Sequence, residues 1–385
     1  MRIGILTYHH VVNYGAFLQA LAHVNTLTKL FPEAEIEVVD YRHKTIETYE
    51  WLHVYKNLLR LKSGSLLGMK RFYGAKSFMR HSLPLTTQKL VSCDVAKAVK
   101  FINRQNYDFL IVGSDEVWKV LDRPRSRIFP TIYYLPKEID AIRIGSAVSA
   151  NGSDERVLAK SEVRDYISSS IRDFKVIAAR DRFTFDLIND IGTGAKLYQV
   201  PDPTFAAEFI TSGLQRKMRK LGVDFNRLRI AINLGASHPD SILSNSRLKA
   251  WAVENDIQLV SVGQSNRYCE LDLSGSLNPL EWANCYQFFD FCITDRFHST
   301  VFSLKSGVPF WVLELPKKYS GSHRGKIVDL LGKVGMSENH SWHGDEVDLN
   351  AKIFGLINEF KVGDVRKHCE LFKSQFHQHL SDSLS

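Results

Sequence analysis

The chain has 385 residues, more than one hydrophobic core usually supports, so we expect two domains of ordinary size. With 44% apolar and 24% charged residues, the composition is typical of a soluble globular protein. The longest apolar runs, such as Phe109–Val112, have the length of strands and exclude a membrane-spanning helix. Met1-Arg2 leads directly into an apolar run typical of a strand rather than a secretory leader, so we expect a cytoplasmic protein.

The net positive charge lies in one segment, residues 51–93. This segment contains eight Lys or Arg residues and no Asp or Glu, and over the rest of the chain Lys plus Arg equals Asp plus Glu at 42 each, so the segment accounts for the net +8. Its cations lie among apolar and aromatic residues; they are Lys56, Arg60, Lys62, Lys70, Arg71, Lys76, Arg80 and Lys89. Such a segment can meet a phosphorylated acceptor or an anionic membrane surface, or can form a solvated basic face. We expect no nucleic-acid binding, because no recognition motif accompanies the charge.

The cysteines and histidines do not indicate a metal site. The five cysteines are odd in number and contain no CxxC, so we expect reduced thiols rather than a disulfide framework or a thiolate zinc site. No HExxH or EF-hand sequence is present, and His377-Gln378-His379 lies in a polar tail. We predict no structural metal.

The first half of the chain alternates short apolar runs with amphipathic segments, as in a parallel sheet covered by helices. We predict strands at residues 2–8, 35–40, 108–113, 142–149, 174–178 and 196–200. Helices are predicted at 15–30, within the basic segment, and at 94–104, 155–170 and 181–191. Pro201-Asp202-Pro203 interrupts the pattern and a polar stretch follows at 213–229, so we place the domain junction there.

The alternation then restarts and predicts a second Rossmann-like half. Strands are predicted at residues 228–234, 257–262, 289–294 and 308–313, and helices at 240–254, 279–287, 298–306 and 324–334. Gly307 should close the helix at 298–306. The predicted domains are therefore 1–205, which includes the basic segment, and 206–345, followed by a helical extension at 346–385.

Polar motifs directly follow four predicted strands. They are residues 8–15 with Asn13-Tyr14-Gly15, then Gly113-Ser114-Asp115, Arg180-Asp181 and Asp295-Arg296-Phe297-His298. Because ligands of open parallel sheets bind beyond the carboxyl ends of the strands, these motifs are candidate site residues. No GxGxxG or Walker A sequence is present, which disfavours a dinucleotide-binding or P-loop enzyme.

His298 is the strongest catalytic candidate, with an ordinary packed histidine as the alternative. It lies at the predicted start of a helix, a position that suits a bound anion. The helix dipole disfavours a cationic imidazole there, whereas a bound phosphate or carboxylate favours it. Arg296, two residues earlier, can hold the same anion through charge-assisted hydrogen bonds.

The earlier motifs each allow two interpretations. Arg180 can project a guanidinium beyond its strand toward a ligand, or can form an ion pair with Asp181, which can also cap the next helix. Ser114 and Asp115 can orient a sugar hydroxyl, or can cap the helix that we expect to begin near Glu116.

Taken in order along nearly the whole chain, about residues 1–335, these motifs resemble the polysaccharide pyruvyl transferase family. The resemblance is carried by Asn13-Tyr14-Gly15-Ala16 with Leu18-Gln19, Gly113-Ser114-Asp115-Glu116-Val117-Trp118, Arg180-Asp181, Asp202-Pro203-Thr204 and the run TDRFHSTVFS at 294–303. The stretch from Arg71-Phe72 to Leu85-Thr86 is also similar. Ser299 stands where many relatives have Gly, and Lys326-Ile327 stands where Arg-Ile is usual.

The resemblance implies an α/β fold with two Rossmann-like domains, similar to GT-B glycosyltransferases, and an active site in the interdomain cleft. The implied reaction moves a pyruvyl group from phosphoenolpyruvate, a donor substrate rather than a cofactor, onto two hydroxyls of one sugar of a surface polysaccharide or its precursor. The product is a cyclic ketal, and phosphate is released. His298 would be the general acid, and Arg180 and Arg296 would clamp the donor. The substrate-binding set would be Asn13, Gly15, Ser114, Asp115, Ser299 and Lys326.

Two other functions stay open at this point. The first is a GT-B-type glycosyltransferase using a nucleotide-sugar, for which Gly235 and Gly263-Gln264-Ser265 are the available candidates, without an identifiable acidic ribose clamp. The second is a non-catalytic protein that binds carbohydrate or a membrane surface through the basic segment. For the transferase we expect a saccharide acceptor, with a lipid-diphosphate-linked form and a peripheral membrane contact through residues 51–93 as options at the inner face of the membrane.

Overall fold

A computed structural model describes residues 1–59, 65–121, 129–235, 245–315, 325–342 and 347–385. The chain divides into two compact units. Unit 1 contains Met1–Glu208 and Phe372–Ser385, and unit 2 contains Phe209–Lys318 and Lys326–Leu371. Unit 1 thus runs to Glu208, where the sequence predicted a boundary at 205.

Unit 1 is built on a parallel sheet with helices between its strands. The strands are β1 (Arg2–Leu6), β2 (Glu35–Val38), β3 (Tyr41–His43), β4 (Leu90–Ser92), β5 (Phe109–Val112), β6 (Ile142–Val148), β7 (Val176–Ala179) and β8 (Lys196–Gln199). The helices are α1 (Tyr14–Leu30), α2 (Lys44–Leu59), α3 (Ser65–Ser82), α4 (Val95–Asn103), α5 (Glu155–Leu158), α6 (Ser161–Ile171) and α7 (Arg182–Ile191). The main sheet has the order β2-β1-β5-β6-β7-β8, and β3 pairs with β4 separately.

Unit 2 has the same architecture, a parallel sheet with helices between its strands. Its strands are β9 (Leu228–Asn233), β10 (Ile257–Ser261), β11 (Leu271–Asp272), β12 (Phe291–Thr294), β13 (Phe310–Glu314) and β14 (His340–Trp342). Its helices are α8 (Leu214–Lys220), α9 (Asn245–Glu254), α10 (Pro279–Cys285), α11 (Phe297–Ser306), α12 (Lys326–Lys333) and α13 (Leu349–Glu359). The parallel sheet has the order β11-β10-β9-β12-β13-β14.

The predicted pair of Rossmann-like halves is confirmed by these sheets. The buried runs Phe109–Val112 and Phe291–Thr294 form inner strands of the two sheets, where both faces are covered. Gly307 ends α11 with a φ of 66°, as predicted. The short strands β3, β4, β11 and β14 were missed, because two or three residues give no readable periodicity. Positions 240–244 and 324 of two predicted helices lie outside the described residues.

In the predicted helical extension at 346–385, the described residues form two helices. They are α13 and α14 (Val362–Leu384), and the chain from Phe372 onward belongs to unit 1. The cause is an apolar repeat of four residues: Phe372, Phe376, Leu380 and Leu384 are all buried.

The basic segment forms much of α2 and α3. Lys76 is not part of an open cationic face, because its Nζ lies 2.7 Å from Glu50 and 3.4 Å from Glu47. Arg80 and Lys89 are exposed. Arg60, Lys62 and the side chains of Lys56, Lys70 and Arg71 lie outside the described part. Within the described residues, no helix is both long and apolar enough to cross a bilayer.

Candidate active site

The carboxyl edge of the unit 1 sheet carries the predicted residues of the first half. Asn13 follows β1 and is the N-cap of α1, since its side-chain oxygen accepts hydrogen bonds from the N–H groups of Gly15 and Ala16. Asn13 is exposed and Gly15 is buried. The cap uses only the amide oxygen, so a role of Asn13 toward substrate stays a prediction.

Arg180 follows β7 and is enclosed by acidic side chains. Its side chain is 2% exposed. Its Nη1 donates to Asp202 over 3.1 Å, and its Nη2 lies 3.8 Å from an Asp115 carboxylate oxygen. Burial lowers the pKa of Arg180, but the carboxylates of Asp202, Asp115, Asp181 and Glu116 raise it, and the net shift is upward. The guanidinium is therefore held as a cation in an acidic environment.

Asp202 follows β8 and connects Arg180 to helix α1. One of its carboxylate oxygens accepts hydrogen bonds from the N–H and hydroxyl of Thr204, and the other accepts from Arg180 and from the Gln19 amide at 2.5 Å. The side chain of Asp202 is completely buried. A buried carboxylate with this many donors is fixed in place.

Asp115 follows β5 in a backbone conformation that is uncommon for a residue with a side chain, with φ at 73°. Its carbonyl accepts from the N–H of Ser149, which ties this loop to the end of β6. Gly113 allows the close approach, because a Cβ there would lie 2.0 Å from the Ser146 carbonyl. Ser114 is fully buried, whereas the side chain of Asp115 is 15% exposed.

Asp181 adopts the capping role that was one of its two predicted interpretations. It is the N-cap of α7 and accepts hydrogen bonds from the N–H and hydroxyl of Thr184. Its second carboxylate oxygen accepts from the hydroxyl of Ser149.

In unit 2, Arg296 lies between β12 and α11 and is the N-cap of that helix. Its side chain is 43% exposed, and its Nε lies 2.9 Å from Asp295. Asp295 is in turn fixed by the N–H of Gly235, which donates to both carboxylate oxygens. A Cβ on Gly235 would lie 2.5 Å from Nη2 of Arg296, so a side chain at this position would displace the guanidinium.

His298 occupies the first turn of α11 and is partly buried among aromatic rings. The ring of Phe297 lies 5.3 Å from it, edge to face, and the ring of Phe302 stacks at 6.5 Å. Lys326, the first residue of α12, places its Nζ 5.4 Å from the centre of the Phe297 ring. Arg296, His298 and Lys326 therefore gather at the start of α11.

Ser299 is fully buried and supports this helix from inside unit 2. Its hydroxyl oxygen receives hydrogen bonds from the Asn233 amide at 2.7 Å and from the Tyr286 hydroxyl at 2.8 Å. Asn233 ends β9, so these bonds connect α11 to the neighbouring strand. The predicted contact of Ser299 with substrate stays a prediction.

The structure thus forms two clusters from the predicted residues. Unit 1 brings Arg180 and Asp115 together, with Ser114 beside them in sequence, and unit 2 brings Arg296, His298 and Lys326 together. The predicted meeting of both clusters in one cleft stays a prediction. Among the described residues, no group of three or more His, Cys, Asp or Glu side chains is arranged to hold a metal ion.

The sequence analysis assigned no role to four residues that organise these clusters. Gln19 and Asp202 were noted as parts of motifs but received no role, although both contact the Arg180 cluster. Asn233 and Tyr286 were not singled out, and no local pattern marks them: each is a polar residue within a buried element. Their partners are distant in sequence, so only the fold identifies them.

Comparison with known families agrees with this architecture. The family described as Polysaccharide pyruvyl transferase matches residues 13–315, which include all the residues of both clusters except Lys326. The chain belongs to the polysaccharide pyruvyl transferase family. No curated protein sequence matches the chain significantly.

Solved structures with a similar fold have little sequence in common with this chain. HepE from Anabaena, in complex with UDP and glucose, is 11% identical, with a TM-score of 0.52 and 100% of this chain and 99% of that chain covered. UDP-GlcNAc 2-epimerase from Methanocaldococcus jannaschii is 9% identical, with a TM-score of 0.51 and 97% and 93% covered. With the two parallel sheets, these similarities define a GT-B-like α/β fold.

Proposed function

We propose that the protein moves a pyruvyl group from phosphoenolpyruvate onto two hydroxyls of one sugar residue, releasing phosphate and forming a cyclic ketal. Family membership supports pyruvyl transfer. The observation that carries the donor assignment is the group of Arg296, His298 and Lys326 at the start of α11. A small anion with phosphate and carboxylate groups requires such a set of cations, and the N-terminus of a helix adds a favourable dipole.

In this proposal Arg296 and Lys326 bind the donor and His298 transfers protons. Arg296 is half-exposed, so its guanidinium is available to phosphate or carboxylate oxygens without leaving Asp295. Lys326 supplies a second charge beside the Phe297 ring. Groups that meet developing charge in a dry site stabilise a transition state by about 3 kcal/mol each.

The proton balance of the proposed reaction requires one general acid at the donor. His298 donates a proton to C3 of phosphoenolpyruvate, which becomes a methyl group, and the first sugar hydroxyl adds to C2. The bond from C2 to the phosphate oxygen then breaks, phosphate leaves with the electron pair, and the second hydroxyl adds to C2. One hydroxyl proton replaces the proton given by His298, and the other leaves with the phosphate.

The proposal also includes a class of acceptor and a contact with the membrane. The acceptor is a sugar of a surface polysaccharide or of its precursor, and no cofactor is required. A lipid-diphosphate-linked acceptor would bring the protein to the inner face of the membrane, where the basic segment would meet anionic headgroups. Exposed Arg80 and Lys89 are the described cations available for that contact.

The proposal is tested with the full chain in two assays. Titration calorimetry compares phosphoenolpyruvate with a set of UDP-sugars, and a phosphate-release assay uses phosphoenolpyruvate with a panel of p-nitrophenyl hexopyranosides. We expect binding of phosphoenolpyruvate and glycoside-dependent phosphate release. His298→Ala should lower turnover by about 100-fold or more, whereas the control His368→Ala on α14 should retain it. Binding of UDP-sugars in place of phosphoenolpyruvate, or full turnover by His298→Ala, would contradict the proposal.

A further inference from the structure

The surroundings of Arg180 in unit 1 suggest a role different from the donor clamp expected from its motif. Its side chain is 2% exposed, and two carboxylates face its guanidinium, Asp202 at 3.1 Å and Asp115 at 3.8 Å. Arg296 in unit 2 differs on both counts, with a 43% exposed side chain and an ion pair to Asp295. The two arginines follow strands in the same way, but their environments are not equivalent.

An anion that approached Arg180 would meet the field of these carboxylates as well as that of the guanidinium. Asp202 is completely buried and fixed by Thr204 and Gln19, so it cannot move aside. Coulomb repulsion between like charges is strong where water is excluded. The same carboxylates also explain the pKa of Arg180. Burial lowers this pKa, but the negative potential of the surrounding acids raises it by more. A phosphate or carboxylate of the donor is poorly matched to this place.

Asp115 is the more accessible member of the cluster. Its side chain is 15% exposed, compared with 0% for Asp202. Its backbone is held with φ at 73°, in the left-handed region that side-chain-bearing residues seldom adopt, by the hydrogen bond from Ser149 and the close approach at Gly113. Strain of this kind persists where the surrounding structure fixes it, and it is found most often at functional sites.

We propose that Asp115 is the residue that accepts a proton from an acceptor hydroxyl, and that Arg180 is a positioning residue that orients Asp115. Asp202, with its partners Gln19 and Thr204, holds Arg180 in place. This inference rests on the proposed pyruvyl transfer. In that reaction, the hydroxyl O–H bond breaks as the oxygen bonds to C2, and the proton goes to the Asp115 carboxylate. Asp115 then passes the proton to water, from which the released phosphate takes up its own proton.

The assignment gives a reason for the joint occurrence of several separate motifs. Gln19 lies on α1, Asp115 follows β5, Arg180 follows β7 and Asp202 follows β8. Distant parts of the sequence are thus joined by hydrogen bonds and ion pairs into one chain of contacts that ends at Asp115. A hydroxyl is uncharged, so it can approach a carboxylate that would repel the donor.

A measurement of donor affinity needs no acceptor, and it distinguishes a donor-binding role of Arg180 from a role in positioning Asp115. We expect Arg180→Gln and Asp115→Asn to bind phosphoenolpyruvate in titration calorimetry within about 2-fold of the unchanged protein, since neither side chain touches the donor. Arg296→Gln should weaken binding by about 10-fold or more, as expected for the loss of a charge-assisted hydrogen bond. If Arg180→Gln weakens donor binding as much as Arg296→Gln does, the inference is wrong, although the proposed function stands.

Turnover with the p-nitrophenyl glycoside panel tests whether Asp115 is the general base. Asp115→Asn is expected to lower kcat by about 100-fold or more while the KM for phosphoenolpyruvate stays the same. Arg180→Gln should lower kcat with the same pattern, and Arg180→Lys, which keeps the charge, should recover part of it. Full turnover by Asp115→Asn would overturn the inference. The unchanged protein serves as the separate test of the proposed function, because failure to bind phosphoenolpyruvate would contradict both.

A matched variant separates a loss of fold stability from a loss of turnover. Ser146→Ala removes a fully buried hydroxyl on β6 that hydrogen-bonds to His23 and His379. It should reduce thermal stability without changing kcat. Should Arg180→Gln fail to fold, Asp115→Asn decides alone, because the exposed edge of Asp115 makes a same-shape amide acceptable to the fold.

Discussion

Lowering the pH from about 8 to about 5 is expected to destabilise unit 1 through two buried histidines, His23 and His379. Both share one hydroxyl, since the Nε2 atoms of His23 and His379 each lie 2.9 Å from Oγ of Ser146. At the outer ends, Nδ1 of His23 faces the carbonyl of Gln19 at 3.1 Å, and Nδ1 of His379 faces the hydroxyl of Tyr198 at 2.7 Å. One arrangement satisfies every group: Tyr198 donates to His379, His379 to Ser146, Ser146 to His23, and His23 to the Gln19 carbonyl. Both rings are neutral in it.

The sign and size of the effect follow from the two pKa values. Burial lowers the pKa of His23 from 6.5 to about 4, and burial together with the nearby His23 lowers the pKa of His379 to about 3. The unfolded chain therefore takes up protons below pH 6.5 that the folded chain refuses. The stability is fully present above pH 6.5 and is lost as the pH falls toward 4 for His23 and toward 3 for His379. At about pH 5 each histidine costs about 2 kcal/mol, a large part of a typical total of about 5–15 kcal/mol.

Hydrogen exchange measured by mass spectrometry reports this loss for unit 1 specifically. Peptides that cover β6 (Ile142–Val148) should lose protection between the two pH values after correction for the intrinsic exchange rate. Carboxylates also titrate in this window, so the decisive comparison is His379→Gln, which keeps a hydrogen-bonding side chain and cannot be protonated. The variant should show a pH-dependent loss smaller by about 2 kcal/mol. An identical loss in both proteins would refute the reasoning.

Three further predictions concern other parts of the chain. Gly235→Ala should displace the side chain of Arg296, since the added Cβ would lie 2.5 Å from Nη2, and calorimetry should show weaker binding of phosphoenolpyruvate with little change in thermal stability. Ser299→Ala leaves the hydroxyl of Tyr286 without its acceptor in the interior of unit 2, and should cost about 1–3 kcal/mol in urea-induced unfolding. The full chain should sediment with phosphatidylserine vesicles and not with phosphatidylcholine vesicles, and added salt or Arg80→Glu should weaken this by about 5-fold or more. Salt-insensitive sedimentation would count against an electrostatic membrane contact.

The fold was predictable from the sequence because its signals are local. Apolar runs of strand length alternate with amphipathic segments through both halves, and this pattern specifies a parallel sheet covered by helices. Capping residues and turn glycines are equally local, as Asn13 and Gly307 illustrate. The packing partner of α14 was less predictable from the sequence. Its repeat of buried apolar residues indicates that one face packs against something, but the repeat does not specify that residues from Phe372 onward join unit 1.

The site was predictable only to the level of which residues follow strands. The rule that ligands bind beyond the carboxyl ends of parallel strands selected Asp115, Arg180, Arg296 and His298, and the family match covers all four positions. The hydrogen bonds that fix them were not predictable, because they join elements far apart in sequence. Asp202 lies 22 residues after Arg180, and Gln19 reaches it across 183 residues.

The contrast between the two arginines explains why a motif alone does not assign a role. A guanidinium after a strand is cationic in any environment, so the sequence predicts an anion site for Arg180 and Arg296 alike. What separates them is the charge that other strand ends bring to the same edge. In unit 1, β5 and β8 each deliver a carboxylate to Arg180, whereas in unit 2 Arg296 pairs with its neighbour Asp295 and keeps its side chain 43% exposed. An arginine whose charge is already matched by fixed carboxylates serves best to orient one of them, and an exposed arginine beside a helix N-terminus serves best to bind a phosphate.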